Sequence, residues 1–400
     1  MKYDLVFEGG GAKGMVFVGA CDVFFERGHA FNRLLGTSAG AITAALLAAG
    51  YTTEEMREAL GETKDGKPVF AAFMGLPPEP TDEEIRQGAI LKLLEGVNLK
   101  FVPDVLEHRI DEAIAGALSR SLRFRHVAAL VERGGWYAAD EFLAWLRRKL
   151  DAGTRNGQPR RFSAMTLAAF HAATGVELSV VAADTSDARM LVLNHRTAPD
   201  CPLVWAVRMS MSIPLVWNEV VWQADWGRYL DRDIEGHAIV DGGMLSNFPI
   251  ELFISDAPHV VKLMGPKSDT PPIGLLIDER LPVAPSAARG MFVDVNVKPA
   301  ELQSVQRLRR LVDTATTAHD KMVTDEYSHL VVRLPAAGYG TTEFDMSEAR
   351  RQALVHAGAA AMATYLDART ASRAAGTAPR RGGRPATGNT ADRIALRILE

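Results

Sequence analysis

A serine stands between two glycines in Gly36-Thr-Ser-Ala-Gly40, where a strand-like apolar segment (Phe31, Leu34, Leu35) gives way to the small, apolar run Ala41 to Gly50. No other stretch constrains the fold as much. A strand that turns straight into a helix at a serine needs neighbours without bulk, and the turn pushes the hydroxyl out at the end of a sheet. That is the geometry of a nucleophile elbow, with Ser38 at its tip. Five residues of this kind also recur by chance, so the reading depends on partners elsewhere in the chain.

The surroundings supply the first of them. Leu5-Val-Phe7 reads as a short buried strand, Met15 to Arg27 as a helix ending at Gly28, and Phe31 to Leu35 as the next strand. Strands alternating with helices at this spacing predict a parallel sheet covered on both faces. The 400 residues suffice for one large core or two domains, and 47% hydrophobic with 24% charged content is that of a globular protein. A net charge of −4 gives no reason to expect nucleic acid as a partner. Two cysteines, Cys21 and Cys201, make neither a disulfide framework nor a metal-ligand spacing, so no metal or cofactor is expected. Met1 to Phe7 reads as strand and not as a leader, and the apolar run Ala39 to Tyr51 is too short to cross a bilayer. The expected location is the cytoplasm, with any action on membranes from their surface.

Residues 52–135 read as an insertion. It opens on a helix start at Thr53-Glu-Glu and contains the loop chemistry of Lys64-Asp-Gly-Lys-Pro and Gly75-Leu-Pro-Pro-Glu-Pro. Leu106, Ile110, Ile114, Leu118 and Leu122 then repeat at four-residue spacing. Such a stripe packs on a core in the ordinary case, and caps an active site with its apolar face toward lipid in the sharper one. Strands are expected at 176–183, 190–193, 238–241, 260–264 and 329–334, and helices at 205–211, 301–323 and 347–366. The domain is expected to run over residues 1–370, and 371–400, rich in Gly, Pro and Arg up to about Asp392, reads as a flexible tail.

Gly9-Gly-Gly-Ala-Lys-Gly14 follows the first strand and opens a helix, matching G-x-G-x-x-G. A dinucleotide site needs an acidic residue at the end of the second strand, where this chain has Gly36-Thr37-Ser38, so that reading is disfavoured. The alternative is an oxyanion hole. A glycine run at a helix N-terminus presents backbone N–H groups without intrahelical acceptors, in a field that favours negative charge. Gly10 and Gly11 are the best placed of Gly9, Gly10, Gly11 and Gly14. Lys13 reads as a solvated lysine, with contact to a lipid phosphate as the less ordinary possibility. Adjacent parallel strands would bring this loop and Ser38 to one sheet edge. For a base, Asp241 ends the apolar strand Ile239-Val240 and precedes Gly242-Gly243, a context that points its carboxylate at the same edge or simply makes an Asx turn. His259, His319, His329 and His356 stand in the right chain order to complete a triad instead.

Gly9–Gly14, Gly36–Gly40 and Asp241-Gly242-Gly243, in that order, resemble the three signatures of the patatin-like phospholipase family. Ser212-Ile-Pro214, Asn247 and Pro249 are similar to its pattern too. The match covers residues 3–250, and the segment to about 367 completes the same domain. The resemblance implies an α/β fold with three α/β/α layers around a central, mainly parallel sheet. It also implies a Ser–Asp dyad without histidine: Ser38 as nucleophile, Asp241 as base, and the Gly9–Gly14 loop as oxyanion hole, with Gly36, Gly40, Gly242 and Gly243 shaping the motifs. The expected activity is that of a serine acyl hydrolase on phospholipids or lysophospholipids, reached by peripheral contact with a membrane. Acyl transfer, a ligand-activated effector phospholipase, and a catalytically silent binding module are the alternatives.

Overall fold

The computed structural model describes residues 1–64, 67–79, 122–284, 324, 326–374 and 388–399. Its centre is an eight-stranded sheet: β1 (Lys2–Phe7), β2 (Ala30–Thr37), β3 (Glu177–Asp184), β4 (Arg189–Leu193), β5 (Val220–Val221), β6 (Ala238–Asp241), β7 (Pro272–Pro282) and β8 (Val331–Ala337). The neighbours β3, β2, β1, β7 and β8 run parallel in that order. The strands β4, β5 and β6 pair antiparallel. The link from β3 to β4 is four residues, too short for a crossover, so that pair has to be a hairpin. The expectation of a mainly parallel sheet is met, with an antiparallel margin.

Side-chain alternation divides the layers. Tyr3 and Phe7 of β1 meet Phe24 and Phe17 of helix α1 (Met15–Glu26) edge to face, with ring centroids 5.7 and 5.4 Å apart. Helix α2 (Ala39–Ala48) lies over Gly36 on that same face and is buried along its whole length. The long helix α7 (Glu348–Ala374) packs on α1 there. On the other face Asp4 pairs with buried Arg33, whose guanidinium lies 4.6 Å over the ring of Phe253. This gives three α/β/α layers. Near-continuous apolar runs such as Leu34-Leu35 and Val180–Ala183 are what a sheet buried on both faces requires.

Four expectations change. Residues 260–264 are not a strand but the end of a helix, α6 (Pro258–Met264), started by Pro258 and stopped by Gly265 at φ 75°. The long strand missed is β7, where Gly274 and the charged Asp278-Glu-Arg280 interrupt the apolar signal; the two-residue β5 was missed as well. The supposed insertion begins inside the domain: α3 (Thr53–Gly61) starts in a Thr52–Glu55 capping box and buries Met56, Ala59 and Leu60 in the core. Finally, 371–400 is not all tail. Helix α7 continues to Ala374, and α8 (Gly388–Leu399) packs its buried Ala391, Ile394 and Ala395 against β4 and the short helix Glu251–Ile254. The stripe residues Leu106 to Leu118 and the expected helix 301–323 lie outside the described residues. Between them, α4 (Asp140–Asp151) and α5 (Leu203–Ser210) complete the elements used below.

Candidate active site

The register of β3 decides the geometry. Val180 and Val181 pair with both β2 and β4, and Ala182 to Asp184 pair with both β4 and β6. A strand residue has only two lateral neighbours, so β4 fills one side of β3 and β2 and β6 share the other. They run in opposite directions and meet end to end: Thr37 stands opposite Val181, and Asp241 opposite Ala182. Consecutive rungs are about 3.3 Å apart. Ser38 and Asp241, separated by about half the chain, thus come to one point of the sheet edge.

At that point Ser38 has φ 53° and ψ −120°, a conformation unusual for a residue with a side chain. Such backbone costs of order 1–3 kcal/mol and persists only where its surroundings over-determine it. Here they do. A Cβ on Gly36 would lie 2.3 Å from the Gly40 carbonyl oxygen, and one on Gly40 2.3 Å from that of Phe7. The Ser38 N–H donates to Ser210 Oγ at 2.9 Å, and Ser38 itself is buried. Asp241 is held from both ends. Its N–H donates to the Ser212 carbonyl at 2.9 Å, and its Oδ1 accepts the Gly243 N–H at 2.8 Å, while Oδ2 is buried. The Asx turn therefore exists and fixes the carboxylate. Gly242 packs directly on Val181, and Gly243 faces Asn247.

The glycine loop arrives from β1. Asn247 clamps Gly9, accepting its N–H at 3.2 Å through the backbone carbonyl and donating from Nδ2 to its carbonyl at 2.9 Å. A Cβ on Gly9 would lie 2.1 Å from Asn247 Oδ1 and 3.1 Å from Ser38 Cβ, so the loop touches the serine. Ala12 N–H is taken by Thr341 and Lys13 N–H by Gly10, whereas the N–H groups of Gly10 and Gly11 have no acceptor among the described residues. Gly14 caps α1. Ser38, Asp241, the glycine loop and the N-terminus of α2 therefore lie at the same end of the adjoining strands β1, β2 and β6, groups of the kind that carry out acyl transfer to a serine.

Lys13 departs from expectation. It is buried and paired with Glu279, on the part of β7 that overhangs the loop. Of the histidines, His319 lies outside the described residues, and His356 is exposed on α7. His329 precedes β8, and His259 sits on α6 ahead of β7, at the edge where those parallel strands start, opposite Ser38. Two residues that sequence reasoning passed over hold the site together. Ser210 receives the Ser38 amide, and buried Arg208 bonds the Ser212 hydroxyl and the Asn218 carbonyl (2.8 Å). Burial pushes the Arg208 guanidinium down to about 10, against the opposing pull of Asp140. The signal available was the Ser-x-Ser spacing just ahead of Ile213-Pro214. Among the described residues Asp184, Asp187 and His237 bring their ligand atoms within 4.8 Å, but Asp187 is paired with Arg232 and Asp184 with His237. No helix among the described residues is long and apolar enough to cross a membrane.

Residues 5–254 match the family model described as "Patatin-like phospholipase". A curated protein of Bacillus subtilis (strain 168), "Uncharacterized protein YqhO", is 27% identical over 366 residues, covering 90% of this chain and 96% of its own. Among solved structures, VipD from Legionella pneumophila is similar at TM-score 0.45 and 17% identity, over 92% of this chain and 67% of VipD. The type III effector ExoU of Pseudomonas aeruginosa is similar at TM-score 0.38 and 17% identity, over 92% of this chain, which spans about half (53%) of ExoU.

Proposed function

The chain belongs to the patatin-like phospholipase family, a family of lipid hydrolases, and from that premise we propose that it is a serine acyl hydrolase cleaving fatty-acyl esters of phospholipids or lysophospholipids through a Ser38–Asp241 dyad. The observation that carries the reading is the meeting of β2 and β6 end to end on β3, which sets Thr37 and Asp241 on consecutive rungs.

In this scheme Ser38 Oγ attacks the ester carbonyl while its proton passes to the Asp241 carboxylate. The carbonyl oxygen, now negative, is stabilised by the Gly10 and Gly11 N–H groups. Asp241 returns the proton to the departing alcohol, leaving an acyl ester on Ser38. Water then gives up a proton to Asp241 and attacks the acyl carbon. Ser38 takes the proton back, and the fatty acid leaves. A carboxylate is a weak base for an alcohol, and the N-terminus of α2 compensates by favouring negative charge on Oγ. Substrate is reached from a membrane surface by peripheral contact.

The test is hydrolysis of phospholipid and lysophospholipid vesicles by wild type, Ser38→Ala and Asp241→Ala, each with its fold verified by circular dichroism. Both variants lose fatty-acid release. Activity in Asp241→Ala that depends on one histidine would replace the dyad with a triad.

A further inference from the structure

Lys13 lies in the glycine loop with its side chain only 4% exposed, and Glu279 is the one acceptor its ammonium has among the described residues; the Glu279 side chain is 63% exposed. A buried cation thus depends on a carboxylate supplied from the water side. The part of β7 that brings this carboxylate is itself fixed. Pairing with β1 ends at Leu275, and pairing with β8 carries the strand on to Asp278. Beyond Leu275 the Ile277 N–H donates to the Glu8 carboxylate, and Ile277 Cδ1 would lie 2.2 Å from a Cβ on Gly10. Asp278 accepts the Arg280 N–H at 3.0 Å and Arg333 Nη1 at 3.1 Å. The end of β7 therefore lies along the loop as a strap, and Glu279 is its hold on Lys13.

The hold matters for the peptide unit that joins Gly10 to Gly11. Its carbonyl, that of Gly10, accepts the Lys13 N–H at 3.2 Å. A peptide unit is planar, so this bond also sets the direction of the Gly11 N–H, which leaves the same unit on the opposite side. Neither glycine has a side chain to resist rotation of the unit. Asn247 fixes the unit before it, through the Gly9 carbonyl, and Thr341 the unit after it, through the Ala12 N–H. Only Lys13 fixes the one between, among the described residues. Removing the Glu279 carboxylate leaves an uncompensated charge in a buried position, at a cost that drives the ammonium toward water. The loop backbone moves with it, because Lys13 Cβ would lie 3.9 Å from a Cβ on Gly10 and the side chain has no slack there.

We propose that Glu279 is a positioning residue: through the Lys13 ammonium it fixes the Gly10–Gly11 peptide unit, and so aims the Gly11 N–H that the proposed mechanism sets against the oxyanion. The catalytic consequence rests on the proposed hydrolase reading; the hold on the loop does not. In this assignment the lysine serves the loop and not a phosphate of the substrate, so its effect is the same on esters with and without phosphate.

The experiment compares full-length wild type, Glu279→Gln, Lys13→Met and the double variant on p-nitrophenyl butyrate and on phospholipid vesicles. Glu279→Gln lowers kcat about tenfold on both substrates with KM little changed, as for a misaimed oxyanion donor. In the Lys13→Met background the same substitution changes kcat less than about twofold, because the charge it would strand is gone. Hydrogen exchange read by mass spectrometry follows the loop without substrate. The peptide containing Gly9–Gly14 exchanges about fivefold faster or more in Glu279→Gln, while the peptide containing Gly36–Gly40 keeps its wild-type rate. These readouts of Glu279→Gln stand even where Lys13→Met does not fold. Either an unchanged kcat or an unchanged loop exchange in Glu279→Gln overturns the proposal. So does a loss that persists in full in the Lys13→Met background, or one confined to phospholipid, which would make the lysine a phosphate ligand. The two readings fail separately. A wild type that hydrolyses neither ester, with faster loop exchange in Glu279→Gln, sinks the hydrolase and leaves the strap. Ester hydrolysis with a loop indifferent to Glu279 does the reverse.

Discussion

Asn247 and Gly9 form a tight joint in the site, and both are open to single substitutions. Asn247→Ala removes the Nδ2 bonds to the Gly9 carbonyl (2.9 Å) and to Glu8 (3.3 Å) while leaving its own backbone carbonyl in place. The expected result is a kcat lowered by roughly tenfold with KM little changed, because a loosened loop misplaces the N–H groups that the proposed mechanism sets against the developing charge. Steady-state ester kinetics measure this directly. Gly9→Ala puts a methyl 2.1 Å from Asn247 Oδ1 and against Ser38. Its expected cost is about 10²-fold in kcat, as for loss of an oxyanion donor. Sequence alone carried much of this scale, because Gly36, Gly40 and the Gly9–Gly14 loop are demanded by backbone geometry within a few residues. It could not carry Ser210, whose hydroxyl reaches the Ser38 amide across 172 positions. Nor could it carry the burial of Lys13, whose partner Glu279 comes from the overlooked β7. Contacts of that kind exist only once the strands are ordered.

Among elements, α8 yields the clearest expectation. Twelve residues are too few for an isolated helix in water, so its order depends on burying Ala391, Ile394 and Ala395. Ile394→Asp buries a carboxylate in that contact and is expected to lower unfolding stability by about 2–4 kcal/mol, read by urea denaturation. An unchanged midpoint would mean that α8 does not dock. The helix was illegible because the Gly/Pro/Arg-rich stretch before it dominates local composition, whereas the apolar 3.6-residue period is confined to the last ten residues. The helix α6 was misread for a related reason: Val260-Val261 favours a strand, and Pro258 with Gly265 decides otherwise. A second expectation concerns the stacked rings of His171 and His195, 3.7 Å apart. Burial, then the nearby His171 and Arg196, pushes His195 from 6.5 down to about 4. The unfolded chain therefore takes up a proton that the folded one does not as pH falls through 6.5. This contribution to stability is whole above pH 6.5 and is lost progressively down to about pH 4. His195→Gln removes that part of the acid sensitivity, and denaturation series at several pH values show it as a flatter profile across that window.

For the whole molecule, the sheet itself assembles the site. One edge collects the ends of β1, β2 and β6, and with them the glycine loop, Ser38 and Asp241, while two of the three described histidines considered as bases, His259 and His329, belong to the opposite edge. The alternation of strands and helices made the layered fold legible at once. The pairing of β2 and β6 along a single side of β3 was not, since register across three distant segments leaves no trace in any one of them. The central claim is that this convergence activates Ser38, and covalent labelling tests it most directly. Full-length protein treated with a fluorophosphonate and digested for peptide mass spectrometry should carry the label on Ser38. Labelling should be absent in Ser38→Ala and slowed at least tenfold in Asp241→Asn, whose amide cannot accept the proton. Label on another residue, or equal rates in wild type and Asp241→Asn, would contradict the account.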